Sequence, residues 1–96
     1  MAEENVKMAA KCLKALAHPI RLRIIRVLGE KEMSVQEMTE ALNLSQSNMS
    51  QHLNLLKERH ALDSRREGKQ VFYRVLDKKI LKLIDLMQEI FCPPKK

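Results

Sequence analysis

Gln46, Ser47, Ser50 and Gln51 are short, uncharged side chains that both donate and accept hydrogen bonds, and they recur at helical spacing. At ~100° per residue they fan across one face of a helix running from Ser45 to about Arg59, while Met49, Leu53 and Leu56 fall on the other. An apolar face of that kind docks on a core. The opposite face carries the groups needed to read base edges in a DNA major groove. Ser45 is placed as the N-cap, its hydroxyl accepting from a free amide of the first turn, and it belongs to the same contact set. Asn48 and His52 stand at the edges of the reading face. The same polar face would also suit the solvated side of an ordinary amphipathic helix, so the neighbouring elements must decide.

The other groups capable of chemistry are fewer. Cys12 and Cys92 are too few and too distant for a disulfide-rich scaffold. Lys11, Lys14 and Lys95 could favour a thiolate at one or the other, whereas either could equally pack as a small hydrophobe. His18, His52 and His60 are scattered, with no i,i+4 pairing; His18 reads as a cap and His52 as a groove or packing residue. Asp85 and Glu89 lie four apart on one helix face, but two carboxylates alone make a weak transition-metal site. No metal site and no cofactor are assigned. An enzyme with a Cys/His pair as nucleophile and base lacks an acid partner and a Gly-rich ligand loop, since only two Gly are present; no catalytic residue is assigned.

The elements that must position these groups follow from periodicity and stop signals. Val6, Ala9, Ala10, Leu13, Leu16 and Ala17 mark a first helix over 3–17. His18-Pro19 ends it and opens a second, Pro19 to Leu28, which Gly29 stops. Ser34-x-x-Glu37 is a capping box for a short third helix ending near Leu42, and Asn43-Leu44 is the turn into the fourth. The period then changes to two. Ala61 to Arg66 and Gln70 to Leu76 flank Glu67-Gly68-Lys69, a hairpin whose Gly supplies a positive φ. Asp77 caps a last helix through Phe91 with Ile80, Leu81, Ile84, Met87 and Ile90 as its stripe, and residues 93–96 read as a frayed tail.

Ninety-six residues suffice for one domain with a modest core, so 1–96 reads as a single unit. Eighteen Lys and Arg against 12 Asp and Glu leave a net charge of +6, which predisposes the chain to polyanions. No secretory signal or membrane-spanning run is visible, so a cytoplasmic location with reduced thiols is expected and no membrane partner.

Four helices, a basic hairpin and a C-terminal helix constitute a mainly α winged helix-turn-helix (α+β). Arg65, Arg66 and Lys69 surround the tip of the wing, where cations reach phosphates or a minor groove. Ser34 and Gln36, at the start of the third helix, join them as backbone contacts. Double-stranded DNA is therefore the expected partner.

The sequence also resembles the ArsR/SmtB winged-helix repressors over about 13–92. The resemblance rests on four blocks in order: Leu13 to Ile25 (LKALAHPIRLRII), Ser34 to Met38 (SVQEM), Leu44 to Leu53 (LSQSNMSQHL) and Arg65 to Arg74 (RREGKQVFYR). It implies a homodimer built from 3–17 and 77–92, a palindromic operator with half-sites ~34–36 Å apart, and repression relieved by an inducer. His60 stands where the family has Gly after the recognition helix; His tolerates positive φ, so the turn is expected to persist. Asp63 puts an acid near the start of the wing strand. The family's thiolate motif on the third helix is absent, its place held by Met33, Ser34, Val35 and Gln36, and the last helix has no His for a zinc site. Cys92 falls where a sulfide- and redox-responsive branch carries one reactive cysteine. The branch places its other near Arg26, so Cys12 would have to substitute for it from the first helix. Thiol oxidation or persulfidation at Cys12 and Cys92 is thus one inducer, packing cysteines with an unknown inducer another, and a metal or arsenite a third. A winged-helix protein-interaction module without DNA function is the rival from another class.

Overall fold

Capping groups and stop signals written into the chain determine where its helices begin and end. The structure, a computed structural model, describes residues 2–92. In chain order it contains α1 (Glu3–Leu16), α2 (Pro19–Leu28), the short strand β1 (Met33–Ser34), α3 (Val35–Leu42) and α4 (Gln46–Glu58). The hairpin β2 (Leu62–Glu67) and β3 (Gln70–Val75) and the last helix α5 (Lys79–Phe91) follow. This is a winged helix. The tail reading of 93–96, Lys95 included, lies outside the described residues.

His18 caps α2, its Nδ1 accepting from the Ile20 amide at 3.1 Å, and Pro19 fills the first turn, where a missing N–H is no loss. The capping box closes in both directions. Ser34 Oγ accepts from the Glu37 amide at 3.1 Å, and Glu37 Oε1 accepts from the Ser34 amide at 2.8 Å. Asn43, at φ 54°, turns the chain into α4, whose cap Ser45 accepts from the Asn48 amide at 3.2 Å. His60 adopts φ 62°, so the turn after α4 survives without Gly. Asp77 Oδ1 accepts from the Lys79 amide at 2.9 Å and caps α5 from one residue ahead of its formal N-cap, Lys78.

Two features of the sheet differ from the sequence reading. β1 pairs antiparallel with β3, Met33 opposite Tyr73 and Ser34 opposite Phe72, giving a sheet of order β1-β3-β2. A two-residue strand has no period of its own and exists only because a partner lies beside it. The hairpin is also tighter than expected. Its register runs from Leu62 opposite Val75 to Glu67 opposite Gln70, leaving Gly68 and Lys69 as the turn, with Gly68 at φ 63°. Gly at the first of two turn residues matches the twist of the flanking strands.

The core gathers Ile24, Ile25 and Leu28 from α2, Met38 and Leu42 from α3, and Met49, Leu53 and Leu56 from α4. Leu62, Tyr73 and Val75 of the hairpin and Ile84 of α5 complete it. The outer helices depart from their expected stripes. On α5, Ile84 is buried and Ile80 and Leu81 half-buried, but Met87 and Ile90 face outward with Leu83, Leu86 and Phe91. Ile90 is 67% and Phe91 73% exposed. On α1 only Ala15 and Leu16 are buried, while Val6, Met8 and Leu13 are exposed. A helix apolar on more than one side cannot turn every side to one small core. No helix of the described residues is long and apolar enough to cross a membrane.

Leu53→Ala should lower the unfolding free energy by about 2–5 kcal/mol, and Ser45→Ala by about 1 kcal/mol. Urea denaturation at fixed protein concentration measures both. A loss below about 1 kcal/mol for Leu53→Ala would show that α4 is not held by the core.

Candidate nucleic-acid interface

The polar face of α4 is open to solvent. Gln46, Ser47, Asn48, Ser50 and Gln51 are all exposed, while Met49, Leu53 and Leu56 on the opposite side are 0%, 1% and 0% exposed. The Ser45 and Ser47 hydroxyls lie 3.4 Å apart at the N-terminal end. Beside this face, a groove of about 310 Å³ is lined by residues of three elements. Ser34 and Gln36 come from the start of α3, Gln46 and Ser50 from α4, and Lys69 from the wing. Residues 35 positions apart in sequence thus line one hollow with donors and acceptors on its walls. Ser34 contributes chiefly to the fold: it is 4% exposed, and its hydroxyl is engaged by the Glu37 amide. Gln36 remains exposed, its amide donating to Glu40 Oε1 at 3.4 Å.

The wing cations differ sharply from one another. Arg65 donates to both carboxylate oxygens of Glu32 at 2.6–3.0 Å and to Glu67 at 3.0 Å, and its guanidinium lies 4.8 Å from the centre of the Phe72 ring. Expected as a phosphate or minor-groove contact, Arg65 instead ties the wing to the segment before β1. Hydrogen bonds from Glu32 and then Glu67 raise its pKa above the ordinary arginine value. Reciprocally, the Arg65 hydrogen bond holds the Glu32 carboxyl below the usual carboxylate range. The acid at Asp63 is likewise matched, its Oδ2 accepting from Arg74 at 2.9 Å. Arg66 and Lys69 are exposed and, among the described residues, have no ion-pair partner.

His52 does not stand free at the edge of the reading face. It is half-buried, its ring 4.8 Å from that of His18, and its Nδ1 accepts from Arg21 Nε at 3.3 Å. Arg21 also donates to the Ala15 carbonyl at 3.0 Å. The two histidines that look scattered in sequence are neighbours because α2 crosses α4. Burial, then the nearby His18 and Arg21, push the His52 pKa down.

The cysteines occupy separate surroundings, and both are free. The half-buried Cys12 thiol donates to the Arg59 carbonyl at 3.6 Å, at the end of α4. Cys92 is exposed and lines a largely apolar cavity of about 380 Å³ with Leu22, Arg26, Ile84 and Phe91. Arg26 donates to Gln88 Oε1 at 2.8 Å within that wall. Among the described residues, no three His, Cys, Asp or Glu side chains converge as metal ligands.

A family model described as a helix-turn-helix domain matches residues 16–65. The biofilm growth-associated repressor of Agrobacterium fabrum is 41% identical over 97% of this chain and 80% of its own length. The transcriptional activator HlyU of Vibrio cholerae is 37% identical over 94% and 83%. A solved structure of HlyU superposes with a TM-score of 0.83, covering 95% of this chain and 99% of that one at 36% identity. The homodimeric winged helix-turn-helix DNA-binding domain Mb0332 of Mycobacterium bovis, described as a possible ArsR-family transcriptional regulator, gives 0.83 at 27% identity, covering 94% and 86%.

Because the folded-state pKa of His52 lies below its ordinary value, His52 contributes stability that is complete above about pH 6.5 and lost as pH falls through the folded value. The imidazole titration followed by NMR should show a midpoint below about 6.5 for His52. His52→Gln should flatten the decline in stability between neutral and mildly acidic pH. An unshifted midpoint would refute the packed, neutral ring.

Proposed function

Since this chain belongs to the ArsR family of winged-helix transcriptional regulators, we propose that it is a homodimeric repressor that reads a palindromic operator. The observation that carries the reading is the convergence of Gln36, Gln46, Ser50 and Lys69 on one groove beside the open polar face of α4. Gln46, Ser47, Ser50 and Gln51 contact base edges, with Ser45 and Asn48 bordering them, while His52 packs behind the face against His18 and Arg21. Arg66 and Lys69 hold phosphates or the minor groove, and Gln36 meets the backbone at the start of α3. Arg65 and Ser34 act by positioning the wing and α3. The outward apolar side chains of α1 and α5, Val6, Met8, Leu13, Leu86, Ile90 and Phe91 among them, support dimerisation through 3–17 and 77–92.

For release from DNA we assign the thiols. Cys92 is the accessible one, and Cys12 is held at the end of the recognition helix, where a change at sulfur would be felt by α4. Within one protomer the two thiols stand in different surroundings. An added oxidant takes two electrons and two protons from the two thiols and leaves them joined as a disulfide.

Gln51→Ala should reduce discrimination between operator and random DNA by about 1–3 kcal/mol. Lys69→Ala should weaken both alike and reduce the salt slope by about 1. Fluorescence anisotropy on the duplex upstream of the gene measures this, and equal effects of both variants on random DNA would overturn the division of labour. With a thiol oxidant, affinity should fall only while Cys12 and Cys92 are both present; Cys12→Ser or Cys92→Ser should abolish the response. Absence of specific binding in either state would favour a protein-interaction module.

A further inference from the structure

A second basic hollow, separate from the groove beside the wing, lies among α1, α2 and α4. It encloses about 280 Å³ and is lined by Lys11 and Lys14 of α1, Arg21 of α2, Arg59 of α4, and the apolar Ala15 and Leu55. Among the described residues, no carboxylate lines it. Among the described residues the ion pairs involve only Arg65, Arg74 and Lys78 as cations, so none of these four has an acidic partner. Arg21 and Arg59 are half-buried, and the bonds of Arg21 go to neutral acceptors, the Ala15 carbonyl and His52 Nδ1. An anion bound here meets the summed positive potential of the four cations.

The composition of the wall indicates which anion. The Arg59 guanidinium can present a planar donor fork to a tetrahedral oxyanion, Arg21 adds the Nη2 group that its bonds to His52 and Ala15 do not use, and lysine adds mobile point charges. Four positive groups suit a multiply charged ligand better than a single carboxylate. We propose that this hollow is a phosphoryl site, in which Arg21 and Arg59 grip the group from the protein side and Lys11 and Lys14 close over it. The phosphoryl group is supplied either by the DNA backbone flanking the α4 contact or by a free phosphate compound. The first source rests on the repressor reading; the second does not. In both cases the ligand bears on α4, because Arg21 is bonded to His52, the neighbour of Gln51.

The test has two arms on the full chain, each comparing wild type with Lys11→Gln/Lys14→Gln. Both lysines are exposed, so the variant keeps the core, and an unchanged thermal unfolding curve verifies this. In the first arm, inorganic phosphate is titrated against chloride at constant ionic strength while the arginine Nε–H resonances are followed. Saturable shifts at Arg21 and Arg59, lost in the variant, identify the site. In the second arm, the salt slope of binding to the duplex upstream of the gene is measured. A slope shallower by about 0.9 per protomer identifies backbone phosphate as the source. Phosphate shifts with an unchanged slope identify a free phosphate compound. No saturable shift together with an unchanged slope overturns the proposal, as do equal shifts at Arg66. Lys69→Ala separates the two readings: if it weakens DNA binding while the double variant does not, and phosphate gives no saturable shift, the repressor reading stands and this one falls. If wild type binds no specific DNA, the phosphate arm alone decides.

Discussion

The sealing of Met49, Leu53 and Leu56 against the core is the contact on which the rest of the geometry depends. α4 has one apolar stripe, and burying it fixes the rotation of the helix about its axis. Turning α4 enough to hide Gln46 or Gln51 would bring one of these side chains into water, at about 1.5–3 kcal/mol for each large apolar group. The exposed row of Gln46, Ser47, Ser50 and Gln51 is therefore a consequence of packing behind it. The wing inherits its position from the same helix. The Ala61 amide donates to the Leu56 carbonyl at 2.9 Å, and the next residue, Leu62, is already buried as β2 begins.

Electrostatics then divides a basic chain into committed and uncommitted cations. Glu32 and Glu67 occupy Arg65, Asp63 occupies Arg74, and Glu30 pairs with Lys78 at 3.1 Å. Exposed pairs of this kind contribute little stability individually. Their effect is on distribution, because Glu32, Glu67 and Asp63 neutralise Arg65 and Arg74 and, among the described residues, Arg66 and Lys69 near the wing tip are left unpaired. The bidentate geometry and the stacking on Phe72 make Arg65 a brace that a lysine could not replace.

Arg21 joins the parts. Its guanidinium bonds the last turn of α1 through the Ala15 carbonyl and the middle of α4 through His52. α1 leaves most of its apolar surface outward, while α4 carries the open polar face, so one side chain links the helix with the outward apolar surface to the helix with the open polar face.

Much of this protein is legible in its sequence. The helices are local in origin: His18-Pro19, the Ser34–Glu37 box, Ser45 and Gly29 act through bonds a few residues apart, and each is found where periodicity and capping place it. The polar face of α4 is equally a property of one segment. What local chemistry does not contain is pairing between distant segments. β1 exists only beside β3; His18 meets His52 only where α2 crosses α4; and the expected α5 stripe divides because a single small core has room for one side of it. Arg65 and Lys69 are both basic residues near one turn, yet only the fold brings Glu32 to the first and leaves the second open. Sequence alone determined which residues can form helices and offer hydrogen bonds, because those properties act over one turn of chain. Tertiary structure decided which charges are already matched, because that depends on partners from other elements, as Glu32 is to Arg65 and Glu30 to Lys78.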